Sequence, residues 1–380
     1  MPRPGSAMGA LLAGVLIVGA CSAEPAVEPN TAPTTRTPTT VTTPLNPPTL
    51  TATPRPGPVV PAGITEIATG LDAPWSIAFL PDGSALVSQR DAATIVHVAA
   101  GGGITEVGPV PGVNGGGEGG LLGLALDPAA PTTLYVYATM GDDNRVLRTT
   151  YTGGALGEFE TILDGIPAAG NHNGGRLRFG PDGLLYVSTG DAGDGSRSQD
   201  LDSLGGKILR MTPDGAAPPD NPFAGSLVYS YGHRNVQGLA FDDDGTLWAS
   251  EFGNQRLDEL NRITPGGNYG WPIVEGIAGD QRFTDPQVDW PTSEASPSGL
   301  AYASDTFFLA GLRGQRLWQV PAPEGVVGEP AAFVADRGRL RDAVVAPDGA
   351  LWVLTNNTDG RGDPRPGDDR ILRVELEPQG

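Results

Sequence analysis

From Ile64 onward the chain repeats one local phrase: an apolar triplet, a tight turn, then a second apolar run. Residues 76–88, 176–188, 238–250 and 343–354 carry it most plainly, with Pro-Asp-Gly or Asp-Asp-Gly at the turn. Residues 122–137 and 299–309 are looser copies. Pro presets φ for such a turn and Gly accepts the positive φ that closes it. The triplet centres fall at Ala78, Ala125, Arg178, Ala240, Ala301 and Val345, at spacings of 47, 53, 62, 61 and 44 residues. Each copy runs on into a further polar-apolar strand, as at 95–98, 316–320 and 370–374. A strand-rich unit recurring at this period buries its faces only against its neighbours. The pattern therefore predicts an all-β chain, a six-bladed β-propeller of four-stranded antiparallel blades. Small residues at the triplet centres suit innermost strands crowded around a central channel. The longer third and fourth units imply insertions, and long loops on a rigid scaffold are where function concentrates.

Composition agrees. The 56 Gly and 37 Pro of 380 residues argue against a helical fold. Lys+Arg 24 against Asp+Glu 44 leaves a net charge of −20, which excludes a general nucleic-acid binder. Lys207 is the only lysine, so no Walker-type phosphate loop is present. One Cys excludes an internal disulfide and a Cys-based zinc site.

Residues 1–20 combine Arg3 with an apolar stretch from Met8 to Ala20 and read as a lipoprotein signal peptide. The stretch ends Val18-Gly19-Ala20-Cys21, which resembles the bacterial lipoprotein box and makes Cys21 the candidate lipidation site. Cleavage there removes one base and no acid, taking the charge to −21. Residues 21–60 are rich in Thr and Pro and read as an extended tether, leaving 61–380 as the propeller domain. The expected place is the outer or periplasmic face of a membrane, held by the lipid alone.

Of three His, His97 alternates with Val96 and Val98 and reads as structural. His172 and His233 each precede an innermost-strand triplet, at the expected channel mouth, within 170–176 (GNHNGGR) and 231–238 (YGHRNVQG). These stretches, with 266–272 (GGNYGWP), resemble the glucose/sorbosone dehydrogenase family, which contains the soluble quinoprotein aldose and glucose dehydrogenases. The resemblance spans about residues 64–376.

It implies pyrroloquinoline quinone (PQQ) and calcium as cofactors, and oxidation of aldose sugars at the anomeric carbon to lactones. His172 matches the general base, Asp191 the carboxylate that orients it, and Arg234 and Asn235 the contacts to the quinone oxygens. Arg339 and Arg341 match a pair near the PQQ carboxylates, for which a guanidinium fork is well shaped. Backbone carbonyls at Gly253 and Asn254, with Asp258 nearby, match the calcium site, although the family pattern there is Gly-Pro. Glu118 stands where the family has Gln, and Arg313 where it has a Lys that contacts PQQ. The long insertions that build the sugar pocket in the family's glucose-specific members look shortened here, which implies a broad aldose type. The electron acceptor is left open, a respiratory carrier being one candidate.

Two rival readings stand beside this one: a calcium-dependent propeller hydrolase of lactonase type, and a non-catalytic binding propeller. Residues 115–120 fit G-x-G-x-x-G but precede a strand, which fails the dinucleotide test. Arg361-Gly362-Asp363 reads as a chance loop tripeptide.

Overall fold

The structure, a computed structural model, describes residues 57–380. Six antiparallel sheets of four strands follow one another as blades, the second carrying a short fifth strand. The innermost strands are Pro74–Phe79, Leu121–Asp127, Leu177–Phe179, Val236–Phe241, Pro297–Ala303 and Leu340–Val345. They contact each other in order around the ring, and each contains one of the triplet centres read from the sequence. The second strands, such as Ala85–Gln89 and Leu351–Thr355, follow across the expected turns.

The fourth strands are the part that periodicity did not reveal. Five are short or largely exposed segments, such as Ala331–Phe333 and Ile104–Pro109. The sixth comes from the other end of the chain. Val59–Thr69 pairs antiparallel with Arg370–Pro378, so the last blade is built from both ends of the described chain. That pairing closes the ring.

The core lies between blades. One apolar cluster sets Phe308 and Leu317 of the fifth blade against Leu351 and Val353 of the sixth. Another sets Leu86 and Ile95 of the first against Leu134 and Val136 of the second. A repeated serine adds a polar staple. Ser88, Ser188 and Ser250 close the second strands of three blades, and each donates its hydroxyl to a carbonyl on the next blade. The acceptors are Leu122, Val236 and Ser298, at 2.6, 2.8 and 2.6 Å.

This architecture fixes where function can sit. In an antiparallel blade the start of the first strand and the end of the second share one face. Glu118, His172, Arg234 and Arg339 lie just before inner strands. Arg90, Asp191, Gly253, Arg313 and Arg361 lie after second strands. All therefore rim one end of the channel, while the Pro-Asp-Gly turns occupy the other. Among the described residues no helix is long and apolar enough to cross a membrane. Cys21 and the proposed signal and tether up to residue 56 lie outside the described residues.

Candidate active site

A cavity of about 280 Å³ opens on that rim. Trp75, Glu118, His172, Arg234, Asn235, Gln237, Gly253 and five further arginines (Arg90, Arg313, Arg339, Arg341, Arg361) are among its lining residues. Six guanidiniums against one carboxylate make it strongly basic inside an acidic protein.

His172 sits at φ +56°, a left-handed conformation that costs a non-glycine residue energy and needs support. Its N–H donates to Glu118 Oε2 at 2.8 Å, and its carbonyl accepts from the Ala192 N–H at 3.1 Å. The loops bearing Glu118 and His172 press together at Gly117, where φ is +60° and a Cβ would strike the Gly170 carbonyl. Backbone geometry thus fixes the imidazole before any ligand arrives.

The ring is then oriented by its neighbours. Nδ1 lies 2.7 Å from Asp191 Oδ1, and Nε2 lies 3.2 Å from Asn171 Nδ2. Trp271 Nε1 donates to the other oxygen of Asp191 at 2.8 Å, and the Gly193 N–H donates to Oδ1 at 2.8 Å. Burial pushes the Asp191 carboxyl up, but the His172, Trp271 and Gly193 hydrogen bonds outweigh it and hold it below its ordinary value. An ionised Asp191 accepts from Nδ1–H, and the Asn171 amide can only donate to a ring nitrogen. Both choices leave the lone pair on Nε2.

Glu118 is balanced in the same way. Burial raises it, while the His172 N–H and the Arg361 guanidinium, 2.9 Å from Oε1, bring it below its usual value. Arg361 is half exposed and comes from the loop after the sixth blade's second strand. The loop tripeptide therefore brings its arginine into the cavity lining.

Arg339 and Arg341 are not surface residues. They are 9% and 4% exposed and share Asp359, at 3.1 and 3.7 Å. Arg341 donates to Gln237 Oε1 at 2.8 Å and lies 5.9 Å from the centre of the Trp75 ring. Burial draws the Arg341 guanidinium down to about 9, against the pull of the Asp359 charge. The buried Nε atoms of Arg234, Arg339 and Arg341 have no partner, so the cluster is short of acceptors. A ligand with several carboxylates fits that deficit. Arg313 is exposed on the rim and has no partner among the described residues. Asn235 is 3% exposed and accepts the Gly174 N–H at 3.0 Å.

Below Trp75 the channel is crossed by Arg176. It reaches Asp342 at 2.9 Å, Ser76 at 3.1 Å and the Gln237 carbonyl at 2.8 Å, with its guanidinium 4.4 Å from the Trp75 ring centre.

Arg234 donates to the carbonyls of Gly253 at 2.5 Å and Phe252 at 3.2 Å, its N–H donates to Glu251, and its guanidinium lies 5.4 Å from the Trp271 ring centre. Burial lowers the Arg234 guanidinium, opposed by the charges of Asp191, Glu251, Glu118 and Glu275. The Gly253 carbonyl thus already receives a cationic group in a field of carboxylates, and its donor chemistry fits a hard cation. Asn254 lies outside the lining, with Oδ1 3.5 Å from Arg234. Among the described residues no cluster of three or more His, Cys, Asp or Glu side chains is arranged for a metal.

His233 does not reach the cavity. It is fully buried between Ser230 and Glu251, each at 2.8 Å, and stacks on Tyr269. Sequence reasoning missed Trp75, Trp271, Gln237, Arg90 and Arg361. Trp271 and Gln237 lay inside quoted motifs and Arg361 inside the loop tripeptide read as chance, whereas Trp75 and Arg90 are joined to the site only by blade-to-blade contacts.

The family model described as Glucose / Sorbosone dehydrogenase matches residues 71–372. Aldose sugar dehydrogenase YliI of Escherichia coli K12 is 33% identical over 332 residues, 76% of this chain and 89% of that one. The PQQ-bound form of aldose sugar dehydrogenase from Streptomyces coelicolor is 54% identical, with a TM-score of 0.80 over 86% of this chain and all of that one. A putative oxidoreductase (glucose dehydrogenase) from Thermus thermophilus is 43% identical with a TM-score of 0.78, covering 82% of this chain and 99% of that one. A gluconolactonase-family structure, at 14% identity and a TM-score of 0.53, shares the fold alone. The chain belongs to the glucose/sorbosone dehydrogenase family.

Proposed function

We propose that the protein oxidises aldose sugars at the anomeric carbon to lactones, with PQQ bound in the arginine-lined cavity. The observation that carries this reading is the His172–Asp191 pair, with its lone pair on Nε2, on the wall of a cavity short of negative charge. Bound there, PQQ supplies a quinone that accepts a hydride equivalent. Arg339 and Arg341 hold its carboxylates, with Arg313 at the rim. Arg234 and Asn235 face its quinone end, where a guanidinium favours growing negative charge. His172 Nε2 takes the proton of the anomeric hydroxyl. Asp191 keeps the other proton on Nδ1 and favours the imidazolium that results. Trp75, with arginines against its ring, walls off the channel below.

Calcium is part of the proposal, with the Gly253 carbonyl as its donor and the Arg234 guanidinium moving off that oxygen. Export and lipid anchoring through Cys21 are also proposed, on the sequence alone. Cys21→Ala should move the protein from the membrane fraction to the soluble one; unchanged membrane association would refute the anchor.

The test is reconstitution. Purified apoprotein is titrated with PQQ, with and without calcium, and assayed for aldose-dependent reduction of an electron-accepting dye. Sugar-dependent turnover that requires PQQ is expected. PQQ that binds but supports no turnover with any aldose would overturn the reading.

A further inference from the structure

Asparagine is a thermolabile residue, and it is most so when glycine follows it. A glycine nitrogen, with no Cβ beside it, reaches the asparagine side-chain carbonyl with little hindrance. The sequence holds two such pairs, Asn114-Gly115 and Asn173-Gly174. The fold treats them in opposite ways.

Asn173 is locked. It is 1% exposed, its Oδ1 accepts the Ala169 N–H and Asn144 Nδ2, both at 3.1 Å, and its Nδ2 donates to the Ala169 carbonyl at 2.8 Å. The attacking nitrogen is occupied as well, since the Gly174 N–H donates to Asn235 Oδ1 at 3.0 Å. Gly174 sits at φ +63°, so tight against Thr189 that a Cβ would strike the Thr189 backbone.

Asn114, Gly115 and Gly116 are exposed. The Gly115 N–H has no acceptor among the described residues, and no atom crowds Gly116. The Asn114 side chain closes a two-point latch on the turn between Ala130–Met140 and Asp143–Thr152. Its Oδ1 accepts the Gly141 N–H at 2.5 Å, and its Nδ2 donates to the Gly141 carbonyl at 3.2 Å. The first contact polarises the carbonyl that would be attacked and stabilises the charge that grows on its oxygen. The second exists only while the side chain is an amide. The latch matters because the same loop carries Glu118, whose Oε2 accepts the His172 N–H at 2.8 Å.

We propose that Asn114 is a self-modification site, at which the folded protein acquires an aspartate or isoaspartate and unlatches the Glu118 loop. The Gly115 nitrogen bonds to Asn114 Cγ, the bond from Cγ to Nδ2 breaks, and ammonia leaves with the proton from Gly115. Water then opens the cyclic imide at either of its carbonyls. One water enters, one ammonia departs, and no oxidant is needed. Both products keep an acceptor for the Gly141 N–H and lose the donor to its carbonyl; the isoaspartate also lengthens the main chain by its Cβ. The inference does not depend on the sugar-oxidation reading.

The full protein, incubated below its melting temperature in mildly alkaline buffer and mapped by peptide mass spectrometry, tests it. The Asn114 peptide is expected to gain the mass difference between an amide and an acid and to split into two chromatographic forms, while the Asn173 peptide stays intact. Hydroxylamine added during incubation should cut the chain between residues 114 and 115. Tm should fall by about 1–3 °C as the donor is lost. Gly115→Ala is the control, because its Cβ would lie 3.8 Å from the Gly119 carbonyl oxygen, an ordinary contact, and would shield the nitrogen. Under the same incubation this variant should keep both its Asn114 peptide and its Tm. An Asn114 peptide as durable as the Asn173 peptide in the folded protein overturns the proposal, and so does conversion undiminished in Gly115→Ala. Full conversion with no fall in Tm overturns the latch.

Discussion

His172 is useful only in one tautomer, and two neighbours choose it from opposite sides. Removing the base should therefore differ from removing its orientation. His172→Gln is expected to lower kcat by about 10²-fold or more with PQQ affinity nearly unchanged in a fluorescence titration. Asp191→Asn should lower kcat less. Asp191 also carries a pH signature. Its folded value lies below its ordinary one, so its stabilising contribution is complete above about pH 4. That contribution is lost as pH falls through the folded value. Melting curves of wild type and Asp191→Asn should converge on acidification; a gap that stays constant down to pH 3 would mean the carboxyl is not held low. Glu118 makes a related case. Glu118→Gln keeps an acceptor for the His172 N–H but releases the Arg361 charge into the cavity. Tighter PQQ binding is expected, and weaker binding would show that the carboxylate itself serves the ligand. The sequence showed Glu118 as an acid in an awkward place. It held no sign of the answer, because Arg361 lies 243 residues away and meets it only when the ring closes.

At the scale of elements, inner and second strands were legible because their alternation and turns are local. Outer strands such as Ala331–Phe333 were not, since one exposed face leaves little apolar pattern. The serines that end three of the sequence copies prove to be blade-to-blade donors. Ser188→Ala should strand the Val236 carbonyl and cost about 1–3 kcal/mol in denaturant unfolding. Lys207, read only as an absent phosphate loop, has an architectural place. It is fully buried, and its ammonium donates to the carbonyls of Arg197, Ser198 and Gly205 at 2.7, 3.2 and 2.7 Å. Those three acceptors match three donors and tie down the loop that follows Asp191. Burial still draws the lysine down to about 8. Lys207→Met should leave the carbonyls unpaired, lower Tm, and reduce kcat through a displaced Asp191; a variant with wild-type melting would show that the loop holds itself.

The whole molecule sets a net charge of −20 against a cavity with six guanidiniums in its wall. Long-range repulsion slows a polyanion's approach and is screened beyond about 10 Å at 0.1 M salt. Affinity then rests on short contacts. Each charge-assisted bond contributes about 1.5–3 kcal/mol, so Arg339→Ala or Arg341→Ala should weaken PQQ binding roughly 10- to 150-fold. Unchanged affinity in both would place the carboxylates elsewhere.

Ring closure by Val59–Thr69 also bears on how the protein is made. This strand is synthesised before the other described strands, yet its partner Arg370–Pro378 is the last of them. At about 5–20 residues per second, the interval between them is roughly 15–60 s. Throughout it, the earliest strand has a bare edge and the sixth blade cannot form. An exposed edge is a template for pairing with another chain. Crowded nascent copies should therefore exchange these strands and form swapped dimers, whereas dilute expression should yield monomeric rings.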